Sequence, residues 1–198
     1  MTRVLEPEAE DAFEFLQGHA SHLHAFWAAF RKLYRGNEQS APVLSAAAND
    51  FFVIVGKALP RTVFQMLRHL TDPPTSQGRE NASFPGLLAA SFGTDYAGSA
   101  PELTALVDQL KAQIEKVRNH TNRAVAHNDW LTVTRAETLQ PIELAEVEAA
   151  LATVRQFLDT FAAEFELIRQ SYDTSVMEHQ LDNLLYLLTA GLSTSSTA

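Results

Sequence analysis

Glu115-Lys116-Val117-Arg118-Asn119-His120-Thr121-Asn122-Arg123-Ala124-Val125-Ala126-His127-Asn128-Asp129-Trp130 ends a long amphipathic pattern that begins near Pro101. Upstream and through this stretch, Leu103, Leu106, Leu110, Ile114, Val117, Thr121 and Ala124 recur at steps of three and four. That spacing keeps one helix face apolar and predicts a helix over 101–128. Lys116, His120, Arg123 and His127 recur at the same steps, roughly 100° round the axis at 3.6 residues per turn. One helix therefore carries a buried stripe and, beside it, a stripe of two histidines, an arginine and a lysine. Arg123 and His127 are i,i+4 neighbours, with Cβ atoms ~6 Å apart. Arg118 falls on the opposite side if the helix stays straight.

Working backwards, Ser99 and Glu102 have capping-box spacing, with Pro101 in the first turn. Ser83, with Pro85 behind it, predicts the start of a short helix to Ser91. The polar run 72–82 and the segment 92–100 read as loops. Residues 41–70 read as a second long helix with Ala47, Phe51, Ile54 and Ala58 on one face, then Val63, Met66, Leu67 and Leu70. Gly56 and Pro60 predict a kink near 56–60, and Asp72-Pro73-Pro74 ends the pattern. Residues 7–35 carry Phe13, Leu16, Ala20, Leu23, Trp27, Phe30 and Tyr34 in a heptad-like seam. His19 and His22 on the same helix have a spacing that metal sites use, but no carboxylate pair completes a bundle metal site.

Working forwards, 129–140 is a connection whose Thr132-Val133-Thr134 is too short to imply a sheet. Val147, Leu151, Val154, Leu158, Phe161, Phe165 and Ile168 predict a helix over 141–172. A last amphipathic segment, 176–192, carries Leu181, Leu184, Leu185 and Leu188. Residues 193–198 read as a disordered tail. The expected fold is one all-α domain over 1–198, an antiparallel bundle of four long helices and two shorter ones.

Composition bounds the function. The 198 residues are 46% hydrophobic and 20% charged, a globular balance. A net charge of −9 means nucleic acid could be held only at a local basic patch. The chain has no cysteine, which excludes disulfides and thiolate metal sites. No signal-peptide pattern opens the sequence, and no apolar run approaches the ~20 residues of a membrane span. The expectation is a soluble, cytoplasmic protein with no membrane partner, no cofactor and no metal.

Asn122-Arg123-Ala124-Val125-Ala126-His127-Asn128-Asp129 resembles the N-[KR]-x-x-A-H-x-D signature of the HEPN superfamily. It is most similar to the AbiU-type branch associated with abortive phage infection. Leu67 to Pro73 with Glu80 to Leu88, and Asp182 to Leu188, resemble two further blocks of that branch, in the same order. The resemblance implies a helical bundle, usually a homodimer, and in active members metal-independent RNA cleavage at the dimer interface. A ribose 2′-hydroxyl attacks the adjacent phosphate there, with a histidine as general acid or base and a cation on the developing charge.

The resemblance places His127 as general acid or base; the polar stripe, its neighbours and their local charge add Arg123 and Asn122 as candidate catalytic residues and Lys116, Arg118, His120 and Asp129 as candidate phosphate contacts. One departure matters. Active members carry R-x(4–6)-H, whereas positions 120, 121 and 122 are His, Thr and Asn. Arg123 is one residue too close to His127 and Arg118 two too far. Either one of them substitutes, or the chain is a nuclease-dead module that binds RNA, a nucleotide or a protein partner such as an antitoxin or another defence protein. The competing structural readings pair Arg118 with Glu115 or Asp159, leave His127 on helix-end carbonyls and use Asp129 to hold a turn.

Overall fold

Helix α1 runs over Pro7–Tyr34 and α2 over Ser40–Leu70 in the computed structural model, which describes residues 4–36, 38–122 and 140–195. A two-strand hairpin, β1 (Thr75–Ser76) with β2 (Arg79–Glu80), leads to α3 (Phe84–Phe92) and the single turn α4 (Tyr96–Ser99). Then come α5 (Pro101–Gln113), α6 (Glu115–His120), α7 (Leu144–Glu164) and α8 (Ser175–Ser195). The fold is all-α, as the periodicity predicts. The four longest helices among the described residues are α1, α2, α7 and α8, and not the 101–128 segment.

The chain divides into two compact units. The first holds Met1–Ser21 and Phe64–Ser171, the second His22–Val63 and Tyr172–Ala198. Helices α1 and α2 each contribute to both.

In the first unit α5 lies antiparallel along α7. Gln109 Nε2 donates to Thr153 Oγ1 at 3.1 Å near the middle, and Lys116 reaches Glu146 at the far end. Phenylalanines fill the space between helices. Phe84 stacks on Phe157 with centroids 3.9 Å apart, Phe161 meets Phe13 at 5.2 Å, and Phe165 meets Phe161 at 4.8 Å. Ser83 caps α3 by accepting from the Gly86 N–H, and its hydroxyl donates to Asp72 O at 2.8 Å. His19 Nε2 sits 3.3 Å from Met66 O, a contact that uses its protonated nitrogen.

Several boundaries move from their predicted places. The long helix expected over 101–128 breaks at Ile114, whose φ −96, ψ 13 divides α5 from α6. The apolar stripe survives the break: Leu103, Leu106, Leu110, Ile114, Val117 and Thr121 are all buried. Ser99 makes no capping box with Glu102, because Ser99 closes α4 and Ala100 is the residue before α5. The helix expected to reach Tyr172 ends at Glu164. Leu167 N–H returns to Ala162 O at 2.9 Å across Glu166, which takes the left-handed φ of 54, the six-to-one bond of a Schellman stop. Ile168, placed by its spacing on the buried face, is 88% exposed. The hairpin turns on Gln77 and Gly78, both at positive φ, within a stretch read as loop. The tail read as disordered from 193 is helical to Ser195.

In the second unit Leu23, Trp27, Phe30 and Leu33 of α1 are buried. Tyr34 packs into the space left by Gly56, where an added Cβ would lie 2.9 Å from its ring, and its hydroxyl donates to Phe52 O at 2.7 Å. Burial pushes the Tyr34 phenol above its ordinary value, with the Gly56 backbone partly opposing. Lys32 Nζ meets Asp182 of α8 at 2.7 Å. Helix α2 breaks at Ala48 (φ −166, ψ 74), not at 56–60. Pro60 removes one donor but stays within the helix. The face with Phe51 and Ile54 is exposed rather than buried. Against the sequence expectation, α2 is long and apolar enough, by length and composition alone, to cross a membrane, and only 6% of its most apolar stretch is buried.

Candidate functional site

Helix α6 is the described part of the predicted site. It is held from below by Val117 and Thr121, both buried, and Thr121 Oγ1 donates back to Val117 O at 2.8 Å. Its polar residues leave in two directions. Lys116 and His120 are four residues apart and share a side. Arg118 is about 200° from each and points the other way.

Each of the three has a partner in the fold. Lys116 Nζ lies 2.5 Å from Glu146 Oε1 in the first turn of α7. The other oxygen of Glu146 accepts the Glu143 backbone N–H at 2.9 Å, so one carboxylate both caps α7 and ties it to α6. The Lys116 ammonium, and then the Glu143 N–H, hold the Glu146 carboxyl below its ordinary value. His120 Nε2 lies 2.6 Å from Gln140 O, donating to that carbonyl. Arg118 Nη2 donates to Thr71 O at 3.4 Å and stands 3.8 Å from Asp72 Oδ1, while its buried Nε has no hydrogen-bond partner. The acid beside Arg118 is therefore Asp72, neither Glu115 nor Asp159.

Asn122 is exposed on a π-helical turn that follows α6, a local widening that recurs at functional sites. Arg123, His127 and Asp129 lie outside the described residues, as do the 129–139 part of the connection and its Thr132-Val133-Thr134. What the structure does describe is the frame on either side of them. His120 and Gln140 are twenty residues apart in sequence and joined by one hydrogen bond. The segment carrying the signature starts and ends at that closure, and the Lys116–Glu146 pair braces it.

Glu146, Asp72 and Gln140 were not among the candidate residues. Their roles come from helix ends meeting in space, and the available sequence signal was only the E-x-x-E spacing of Glu143 and Glu146 before an apolar run. Among the described residues no group of three or more His, Asp or Glu gathers as a metal site. A shallow open groove lies elsewhere on the first unit, along α7, with Arg155, Arg169, Asp159 and Glu102 on its walls. Its charges of both signs favour no single ligand class.

An all-α fold whose polar helix end opens into the Asn122–Asp129 signature defines a HEPN-type helical protein. The profile of the HEPN_AbiU2 family, described as AbiU2, matches residues 6–183. The chain belongs to this AbiU2 family of HEPN proteins, the abortive-infection branch of phage defence. Neither a search of curated proteins nor one of solved structures gives a match.

Proposed function

We propose that this chain is a metal-independent endoribonuclease effector of phage defence, working as a cytoplasmic homodimer and regulated by an antitoxin or defence-system partner. His127 is the general acid or base, Arg123 stabilises charge on the phosphate, and Asn122 and Asp129 orient the reacting groups. The observation that carries the reading is the frame. The His120–Gln140 bond closes the ends of the segment that holds the signature, and Lys116–Glu146 braces that closure. Such bracing suits a site whose acid–base geometry must be held to fractions of an ångström. Lys116 and Arg118 have carboxylates within 4 Å, so Arg123 is the cation assigned to phosphate. Lys116 and His120 position the segment, and Arg118 joins α6 to Thr71 and Asp72 at the end of α2.

The same pairings favour a second reading. With two of the three cations near carboxylates and no arginine at R-x(4–6)-H spacing, the protein would bind RNA without cutting it. The test uses purified wild type, His127→Ala and Arg123→Ala on structured and unstructured RNA, with EDTA present. A positioned histidine contributes ~10²–10⁴-fold, so His127→Ala should lose cleavage by at least about a hundredfold while far-UV circular dichroism is unchanged. Cleavage that persists in His127→Ala would refute the assignment. RNA binding by wild type without cleavage by any variant would establish the second reading.

A further inference from the structure

We propose that the last turn of α2 and the β1–β2 hairpin form a second RNA contact, where Arg68, His69 and Arg79 hold backbone phosphates of a strand that enters the site at Asn122. The inference rests on the RNA reading above and names where the rest of the strand runs. Arg118 and Asn122 are four residues apart, on α6 and the turn after it, and share one side to within roughly 40°. Arg118 meets Thr71 O and Asp72. The end of α2 therefore stands on the Asn122 side of α6, away from Lys116 and His120. The hairpin leaves directly from there. Arg79 pairs with Ser76, which is four residues from Asp72, a span of at most ~14 Å at 3.6 Å per residue.

The ordinary role of basic residues in a last helical turn is to bond its open carbonyls. Here those carbonyls have other donors. Arg68 O accepts the Thr71 N–H and hydroxyl, each at 3.0 Å, His69 O accepts the Asp72 N–H at 3.2 Å, and Thr71 O accepts Arg118. Among the described residues Arg68, His69 and Arg79 form no ion pair. Asp72 follows Arg68 by four residues, yet its near cation is Arg118. Arg79 and Glu80 are consecutive in β2, so their side chains leave opposite faces of the hairpin. His69 and Arg79 are exposed and Arg68 is half-buried, and α3, which follows, carries no charged residue. A chain of net charge −9 thus keeps two guanidiniums and an imidazole clear of carboxylates beside its candidate site. The hairpin also fixes Arg79. Gln77 and Gly78 both take positive φ, as in the two-residue turns that match strand twist. Asn81 Nδ2 ties Pro73 O at 2.7 Å and Ser76 Oγ at 3.0 Å. Cations on a braced frame suit a phosphate backbone, which is held without regard to base.

Fluorescence anisotropy on the full chain tests this, with a 2′-O-methyl RNA that cannot be cut, between about 50 and 200 mM salt. Arg68→Gln and Arg79→Gln should each raise Kd about threefold to tenfold, alike for oligo-U and oligo-A. Each should also flatten the slope of log binding constant against log salt by about 0.7. The double variant should raise Kd at least about tenfold and flatten the slope by about 1.4. Arg68→Lys and Arg79→Lys keep the charge and should stay within about threefold of wild type. Arg169→Gln makes the same charge change in the groove along α7 and should leave Kd within about twofold. Thermal melting should show every variant folded. On cleavable RNA the double variant should raise KM and leave kcat unchanged, as binding away from the reacting bond does. RNA binding by the double variant equal to that of wild type would overturn this surface and leave the RNA reading standing. An equal loss in Arg169→Gln would reduce the effect to overall charge and overturn the surface. A lower kcat with Kd unchanged would move these residues into the chemistry and overturn the backbone role. Wild type that binds no RNA would overturn the RNA reading and this surface with it, and poly-glutamate binding lost in the double variant would then give the surface to an acidic protein.

Discussion

Truncating the Phe84–Phe157 stack tests the first unit where two buried rings lie closest among the described residues. Both rings are 0% exposed, their centroids are 3.9 Å apart and their planes 16° from parallel. Phe157 also lies 6.3 Å from Phe161, which leads on to Phe13 and Phe165. Phe157→Ala removes the ring and leaves a cavity among these neighbours, which relax only in part. Such changes cost about 3–5 kcal/mol. Against a total of about 5–15 kcal/mol, that brings the unit close to unfolding, so the gentler Phe→Leu change is the quantitative probe. Phe84→Leu and Phe157→Leu should each cost about 1–2 kcal/mol, part of it transfer and part of it imperfect filling. In urea, with a slope of about 2 kcal/mol/M, each midpoint should fall by about 0.5–1 M. The rings touch, so the two losses should not add. The double-Leu variant should cost about 0.5–1.5 kcal/mol less than the sum, the part that belongs to the stacked pair. Urea unfolding followed by far-UV circular dichroism on wild type, both singles and the double gives the cycle. Losses that add to within about 0.3 kcal/mol, or a Phe157→Ala loss below about 1 kcal/mol, would refute the packing argument.

Arg118→Ala removes a long hydrogen bond and a distant ion pair from a side chain that is 36% exposed, and also removes a buried nitrogen that has no partner. The terms oppose, so the net cost should be about 1 kcal/mol or less, read as a fall in urea midpoint, with RNA cleavage per folded molecule unchanged. A hundredfold loss of cleavage would make Arg118 the missing phosphate cation. The Glu146 carboxyl is held low chiefly by Lys116. A group whose folded value is depressed contributes stability above its ordinary range and loses it as pH falls through the folded value. Lys116→Met should therefore move the Glu146 titration, followed by carboxyl NMR, up toward the ordinary glutamate range and weaken the acid-side pH dependence of stability. An unmoved titration would mean that Lys116 does not hold Glu146 in solution.

Periodicity located the long helices α1, α2, α7 and α8 and the buried stripe from Leu103 to Thr121, because burial needs only one apolar residue per turn on one side. That stripe tolerated the break at Ile114, which the pattern could not reveal: the spacing of buried residues stays the same whether the backbone runs straight or tightens for one residue. Ser83 was legible as a cap, since a cap is a contact over three residues. The signature at Asn122–Asp129 was legible as a resemblance, which the match over residues 6–183 bears out at the level of family. Tertiary structure decided where charge is available. Lys116, Arg118 and His120 were all candidate phosphate contacts in sequence, yet their partners Glu146, Asp72 and Gln140 stand 30, 46 and 20 residues away. Exposure was decided the same way. Phe51 and Ile54 have the spacing of a core face, and a spacing cannot say whether the surface opposite belongs to the same chain. Hydrophobic pattern is a property of neighbours along the backbone, whereas neutralised charge and covered area belong to the surfaces that meet.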